Sequence, residues 1–380
     1  MQSDIYTASV ELHAKHGGKL ETKSKIPLTT KEALSLAYTP GVAEVSRRIA
    51  TDPSLARSLT LKGNTIAVVT DGSAILGLGD LGPLAALPVM EGKAAIFKEF
   101  GGVDAFPICL TTQDPEEIIA IVKNIAPTFG GINLEDISAP KCFMIEERLR
   151  AELPIPVMHD DQWGAATVTL SALINALSLR GLTKEEARVV VNGVGAAGVA
   201  IGRLLHVYGI VNTIFCDSKG IIHAGRSDLT KEKKELLDGS ALLLSEGSLA
   251  DALAGAHVFI GVSKAGALTQ AMVRTMALHP IIFGLANPTP EIMPDEAKAA
   301  GAFIVATGRS DFPNQINNSL VFPGAFQGML RAGIPQFSNA VFIRIAEALA
   351  RSVNTPSPEK ILPSMFDEGV VALVSETVQG

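Results

Sequence analysis

The sequence predicts an α/β protein of two sheet-bearing domains, finished by C-terminal helices. Three observations lead there. Short β-branched runs alternate with helical segments once an irregular, helix-rich opening of about 60 residues is passed. The alternation comes in two series, joined by the long helical segment "TVTLSALINALSLRGL", which stops at Gly181. The chain has 380 residues, enough for two cores of ordinary size.

In the first series "TIAVVTDG", "VDAFPICL", "GINLEDI" and "IPVMHDD" read as strands. The intervening "LAALPVMEGKAAIFKEFGG", "DPEEIIAIVKNIA" and "KCFMIEERLRAE" read as helices. In the second, "ARVVVNG", "VNTIFCD", "AHVFIGVS", "PIIFGLANP" and "AFIVATG" are strands, and "AAGVAIGRLLHVYG" is a helix. Strand–helix alternation of this kind builds a largely parallel sheet with helices on its faces. Near the end, "SNAVFIRIAEALARSV" is the clearest amphipathic helix. The expected domains are 1–160, an α/β domain, and 161–380, a doubly wound parallel sheet plus the C-terminal helices.

Composition narrows the function. The net charge is −7 and basic runs are absent, which argues against nucleic acid or an acidic membrane surface as partner. Apolar runs fall short of the roughly 18 residues that would span a membrane. Cys109, Cys142 and Cys216 are scattered and odd in number, so neither a disulfide framework nor a structural zinc site is expected. The mixed polar N-terminus does not read as a signal peptide, and a cytoplasmic protein is expected.

The pattern G-x-G-x-x-G occurs twice. Gly193, Gly195 and Gly198 directly follow the strand "VVVN" and open a helix, and Asp217 closes the next strand. That context is the Rossmann fingerprint, with pyrophosphate at the helix N-terminus and a carboxylate near the ribose. Gly77, Gly79 and Gly82 do not follow their strand directly, and read as a glycine-rich loop at an active-site rim.

"NLEDI" and "HDD" put Glu135, Asp136, Asp160 and Asp161 at strand ends. Strand C-terminal ends share one edge of a parallel sheet, so these carboxylates can converge. Mutual repulsion would be relieved by a divalent cation, and all-oxygen ligation suits Mg²⁺ or Mn²⁺. Exposed helix-capping acids are the plainer alternative. Lys93 has apolar neighbours, which can lower a lysine's pKa and make it a base, although a snorkelling stem would look the same. Tyr38, Asn287, Asn317 and Asn318 are polar residues in turn-like settings.

Taken together, "AYTPGVAEV", "VVTDGSAILGLGDLGPLAALPVMEGKAAIFKEFGGVDAFPICL", "INLEDISAPKCF", "GVGAAG", "ANPTPE" and "NNSLVFPGAF" resemble the malic enzyme family in its short bacterial form. The resemblance covers nearly the whole chain. It implies NAD or NADP, Mg²⁺ or Mn²⁺, and oxidation of L-malate to pyruvate and CO₂. By its motifs, Lys93 resembles the general base, Tyr38 the acid that protonates enolpyruvate, and Asp160 the neighbour that tunes Lys93. Glu135, Asp136 and Asp161 resemble the metal ligands, and Asn287 and Asn318 the residues that hold a substrate carboxylate. Gly193, Gly195, Ala196, Ala197, Gly198, Asp217, Lys219 and Asn287 resemble the dinucleotide contacts. Lys219 follows Asp217 closely enough to pair with a 2′-phosphate, so NAD and NADP both stay open. A homodimer or larger assembly is implied, with Tyr38 in reach of a partner's site. The chain stops at Gly380, so the phosphotransacetylase-like domain of some short members is not expected.

Two departures stand out. Short members typically read "HDDQHGTA" where this chain reads "HDDQWGAA", with Trp163 and Ala165. Ala74 stands where larger members carry a substrate-clamping arginine. Activity is expected to survive. A malolactic lyase that releases lactate, and an impaired nucleotide-binding variant, are the competing readings.

Overall fold

The computed structural model describes residues 4–242 and 246–380. It contains two sheets. The first joins β1 (Thr65–Thr70), β2 (Asp104–Cys109), β3 (Gly131–Leu134) and β4 (Val157–His159) in the order β2-β1-β3-β4, all parallel. Pro107 lies in β2, an edge strand, where a missing N–H is tolerated. β1 is buried along its whole length, as its unbroken apolar run requires. Chain order reverses between β1 and β3, and such a reversal opens a crevice at the strand C-termini.

The second sheet joins β5 (Val189–Asn192), β6 (Thr213–Asp217), β7 (Gly220–Ile221), β8 (Val258–Gly261), β9 (Ile281–Gly284) and β10 (Ile304–Thr307). Its order is β10-β9-β8-β5-β6-β7. Every pairing is parallel except β6 with β7, a short antiparallel edge. That edge had no signal in the sequence, because two residues are too few for a periodic pattern. The reversal here falls between β5 and β8.

The Asp160–Arg180 helix links the two sheets and ends on Gly181 in the left-handed conformation. It is buried over most of its length and lacks a polar stripe. It also starts earlier than the sequence indicates. β4 stops at His159, so Asp160 and Asp161 form the first helical turn rather than the strand end. They keep the same edge of the sheet and gain the positive helix N-terminus.

The C-terminal helices return to the first sheet. Phe322 and Phe326, in the Phe322–Ala332 helix, lie 4.6 and 5.6 Å from Phe97 of the Pro83–Gly101 helix. The aromatic contacts continue through Phe337 and Phe342 to Trp163. A side chain at Gly131 would press on Phe326, so this glycine in β3 lets the helix pack close. No described helix is long and apolar enough to cross a membrane.

Candidate active site

The Pro83–Gly101 helix starts with proline at its first turn and ends at Gly102 in the left-handed conformation. It aims Lys93 at the C-terminal edge of the first sheet. Lys93 is only 8% exposed at its side chain, with Nζ 2.6 Å from Glu135 Oε1 and 2.5 Å from Asp160 Oδ2. The ring of Phe322 lies against the same ammonium, 4.4 Å from its centroid. Burial lowers the Lys93 pKa, but Asp160 and Glu135 outweigh it and hold the value above that of an ordinary lysine.

Glu135, Asp136 and Asp161 converge beside it, each offering one carboxylate oxygen within 4.8 Å of the others. Asp136 sits at φ 52°, a left-handed position that aspartate tolerates better than most residues. Its N–H donates to Asp161 Oδ2 at 2.8 Å, and its carbonyl accepts from Ala74 N–H at 3.0 Å. Buried His159 stands 3.3 Å from the same Asp161 oxygen and holds that carboxyl below its usual pKa, against the opposing effect of burial. Burial and the Asp161 charge push the Asp136 carboxyl up to about 7. Burial likewise raises Glu135, with Lys93 opposing. Asp136 Oδ2 and Asp160 Oδ1 are buried without a hydrogen-bond partner. Buried, mutually repelling oxygens with open lone pairs are the donor set a divalent cation satisfies, so the residues fit Mg²⁺ or Mn²⁺.

Gly164 explains how Asn318 reaches this cluster. A Cβ there would overlap Asp160 Oδ1 and come within 3.0 Å of Asn318 Cβ. The neighbouring Asn317 does a different job, capping the next turn through Ser319 N–H at 2.9 Å. Asn287 follows β9, and its carbonyl abuts Gly77, where any side chain would overlap it. The first glycine loop therefore touches the second sheet's edge, in keeping with a place at the rim. Tyr38 is not gathered in. It is 66% exposed, and no hydrogen bond among the described residues joins it to the cluster.

Trp163 turns away from the carboxylates. Its ring stacks on Phe342 at 5.0 Å, and its Nε1–H donates to Glu146 Oε2 at 3.0 Å. Glu146 also accepts from Gln162 Nε2 at 2.9 Å and from the His159 N–H at 3.1 Å. Gln162 Nε2 lies 3.1 Å from His159 Nδ1 as well, so a buried network runs from Trp163 to the residue beside Asp161. Sequence reasoning missed Glu146. The available signal was its spacing, since it falls one turn after Cys142 on the buried face of its helix. Also missed was Lys141, whose ammonium lies 2.6 Å from the fully buried Asp71 at the end of β1.

On the second sheet, the fingerprint glycines divide the work. Gly193 takes φ 103° and lies against the Val262 carbonyl, leaving no room for a side chain. Gly198 packs on the Gly193 carbonyl just as closely, while Gly195 faces open space. Tight turn, close helix packing and an open approach to pyrophosphate are the three tasks of this motif. Ala196 and Ala197 begin the Ala196–Tyr208 helix at that opening. Asp217 is already engaged by Arg226, Lys233 and the Lys219 N–H, whereas the sequence suggested a carboxylate free for a ribose hydroxyl. Arg226 and Lys233 had escaped notice because the loop between them and Asp217 has no fixed spacing.

A dinucleotide crevice on one sheet and a lysine–carboxylate cluster on the other define the class of nicotinamide-dependent oxidoreductases. Family comparisons are more specific. Residues 17–116 and 111–150 match the malic enzyme N-terminal domain, and residues 163–375 match the malic enzyme NAD binding domain. The chain is 52% identical over 373 residues to a bifunctional malic/malolactic enzyme of Bacillus subtilis, covering 97% of this chain and 91% of that one. It is also 52% identical to an NAD-dependent malic enzyme of Geobacillus stearothermophilus, covering 95% of this chain and 76% of that one. The crystal structure of an NAD-dependent malic enzyme from Thermotoga maritima superposes with a TM-score of 0.95 at 48% identity, covering 98% and 99% of the two chains. The chain belongs to the malic enzyme family, whose reaction is the NAD- or NADP-dependent decarboxylation of malate.

Proposed function

We propose that this chain converts L-malate to pyruvate and CO₂ with Lys93, Tyr38 and Asp160 as its catalytic groups. The observation that carries the reading is the buried Lys93, held between Glu135 and Asp160 beside three converging carboxylates. Lys93 takes the proton of the 2-hydroxyl as hydride leaves C2 for the nicotinamide. Asp160 keeps Lys93 oriented. Asn287 and Asn318 hold a substrate carboxylate, and Tyr38 protonates C3 of the enolpyruvate left after CO₂ departs. Glu135, Asp136 and Asp161 would hold the divalent cation, which when bound would polarise the C2 oxygen and stabilise the enolate. Lys93 must shed its proton before it can act, and committing the Glu135 and Asp161 charges to a cation would weaken two of the three carboxylate attractions that keep it protonated.

The test mixes the protein with L-malate and Mn²⁺, adds NAD⁺ or NADP⁺ separately, and follows reduced nicotinamide and pyruvate. Stoichiometric appearance of both is expected. Neither product, despite demonstrated metal and cofactor binding, would sink the assignment. The Bacillus subtilis relative's name supports a second reading, in which lactate appears without net reduced nicotinamide. Assaying lactate in the same mixture separates the two.

The same reading includes a homodimer. The helices Ile5–His16, Lys31–Ala37 and Val42–Thr51 bury none of their residues within the chain. Ile5, Val10, Leu36 and Tyr38 are all more than half exposed. A second copy would cover this arm and receive Tyr38 into its own site. Mixing inactive Tyr38→Phe and Lys93→Ala chains should restore activity. No recovery would mean that both residues serve one chain's site.

A further inference from the structure

We propose that the chain selects NADP over NAD, through a 2′-phosphate site formed by Lys219, Arg226 and Lys233 around a neutralised Asp217. The inference rests on the dinucleotide reading of the second sheet and goes beyond it by naming the cofactor.

Position comes first. The Gly193 N–H donates to the Cys216 carbonyl at 2.9 Å, so the fingerprint turn and the end of β6 are neighbours. Asp217 therefore stands where an NAD-binding sheet places the carboxylate that accepts the ribose 2′-hydroxyl. A carboxylate offers about four acceptor positions. On Oδ1, Asp217 accepts Arg226 Nη1 at 2.9 Å and the Lys219 N–H at 2.9 Å. On Oδ2 it accepts Arg226 Nη2 at 2.8 Å and Lys233 Nζ at 2.7 Å. A ribose hydroxyl would have to displace one of these four donors, three of which are charged.

Donors remain on the same rim. Lys233 spends one N–H on Asp217, and Lys219 Nζ spends one on Asp228 at 2.7 Å. Each ammonium carries three N–H groups, so two stay open on both. Arg226, with a side chain only 10% exposed, is fixed from its other side by Asp228 through Nε and Nη2, both at 2.9 Å. Lys219, Arg226 and Lys233 set three positive charges against the two of Asp217 and Asp228. The rim thus offers a preorganised net cation and free donors to an anion, and no vacant Asp217 acceptor to a hydroxyl. A 2′-phosphate is a strong acceptor of such charge-assisted bonds.

Calorimetric titration of the full chain, without malate, tests this with NADP⁺, NAD⁺, adenosine 2′,5′-bisphosphate and adenosine 5′-phosphate. NADP⁺ should bind at least about 10-fold tighter than NAD⁺, and the two fragments should differ likewise. Lys219→Ala changes an exposed side chain, and should weaken NADP⁺ about 5-fold while leaving NAD⁺ within about 2-fold. Arg226→Ala should lose NADP⁺ more heavily and improve NAD⁺, because it bares Asp217. NAD⁺ binding as tightly as NADP⁺, or equal losses for both in Lys219→Ala, would overturn the preference while leaving the dinucleotide site in place. Binding of neither nucleotide would overturn both.

Discussion

Replacing Trp163 by Phe separates a benign core residue from an obstruction at the metal centre. Phe keeps an aromatic face against Phe342 and removes the Nε1–H that donates to Glu146. A hydrogen bond to a charged acceptor contributes roughly 1.5–3 kcal/mol. Glu146 keeps the Gln162 and His159 donors, so it is not orphaned and the lower end applies. Loss of the indole's second ring leaves a small void, adding on the order of 1 kcal/mol. The expected destabilisation is about 2–3 kcal/mol. Urea unfolding followed by circular dichroism measures it, since the variant lacks the chain's single tryptophan. Catalysis should move little, by less than about 3-fold in kcat/KM, or ~0.7 kcal/mol. The double reversion Trp163→His with Ala165→Thr should be similarly mild. A gain above about 100-fold in either variant, near 2.7 kcal/mol of barrier, would refute the reasoning, because it would mean that the indole blocks the site. Unchanged stability in Trp163→Phe would refute the Glu146 bond.

Gly164→Ala should cut kcat by about 100-fold or more, because the new methyl displaces Asp160 from Lys93, yet leave nucleotide affinity unchanged in the same titration. Metal binding should depend on pH. Burial and Asp161 push Asp136 up to about 7 in the metal-free protein, so below that pH a cation must displace its proton. Mn²⁺ affinity, read by electron paramagnetic resonance, should therefore rise about 10-fold per pH unit up to about 7 and then level off. A flat profile between pH 5 and 7 would show that Asp136 is already ionised. The same shift has a stability consequence of definite sign. The native state holds this proton between the ordinary aspartate pKa and about 7, where the unfolded chain has lost it, so stability of the metal-free protein should fall as pH rises through that window. Saturating Mn²⁺ should remove the decline. Lys93→Ala should abolish reduction of nicotinamide yet tighten Mn²⁺, because it deletes the cation 2.6 Å from Glu135. Weaker Mn²⁺ binding in that variant would argue against Glu135 as a ligand.

The sequence by itself determined the alternation of strands and helices, the fingerprint at Gly193, and the sheet edge that carries the acids. These are local properties. A buried parallel strand must be apolar, a tight turn beside pyrophosphate must be glycine, and strand C-termini share an edge whatever the loops do. Glu135, Asp136 and Asp161 were legible for that reason, and the structure brings them together with Lys93. The tertiary structure alone decided which side chains face which. Trp163 sits two residues from Asp161, yet the helical turn sends it to Glu146 and Phe342, which lie on two other helices. Asp217 reads as a free carboxylate until the fold sets Arg226 and Lys233 against it. Lys93 reads as a lysine in apolar surroundings until Glu135 and Asp160 close on it. Each of these depends on charges and rings from separate elements of the fold meeting in space. Their energies there are set by distance and desolvation, which linear order does not encode.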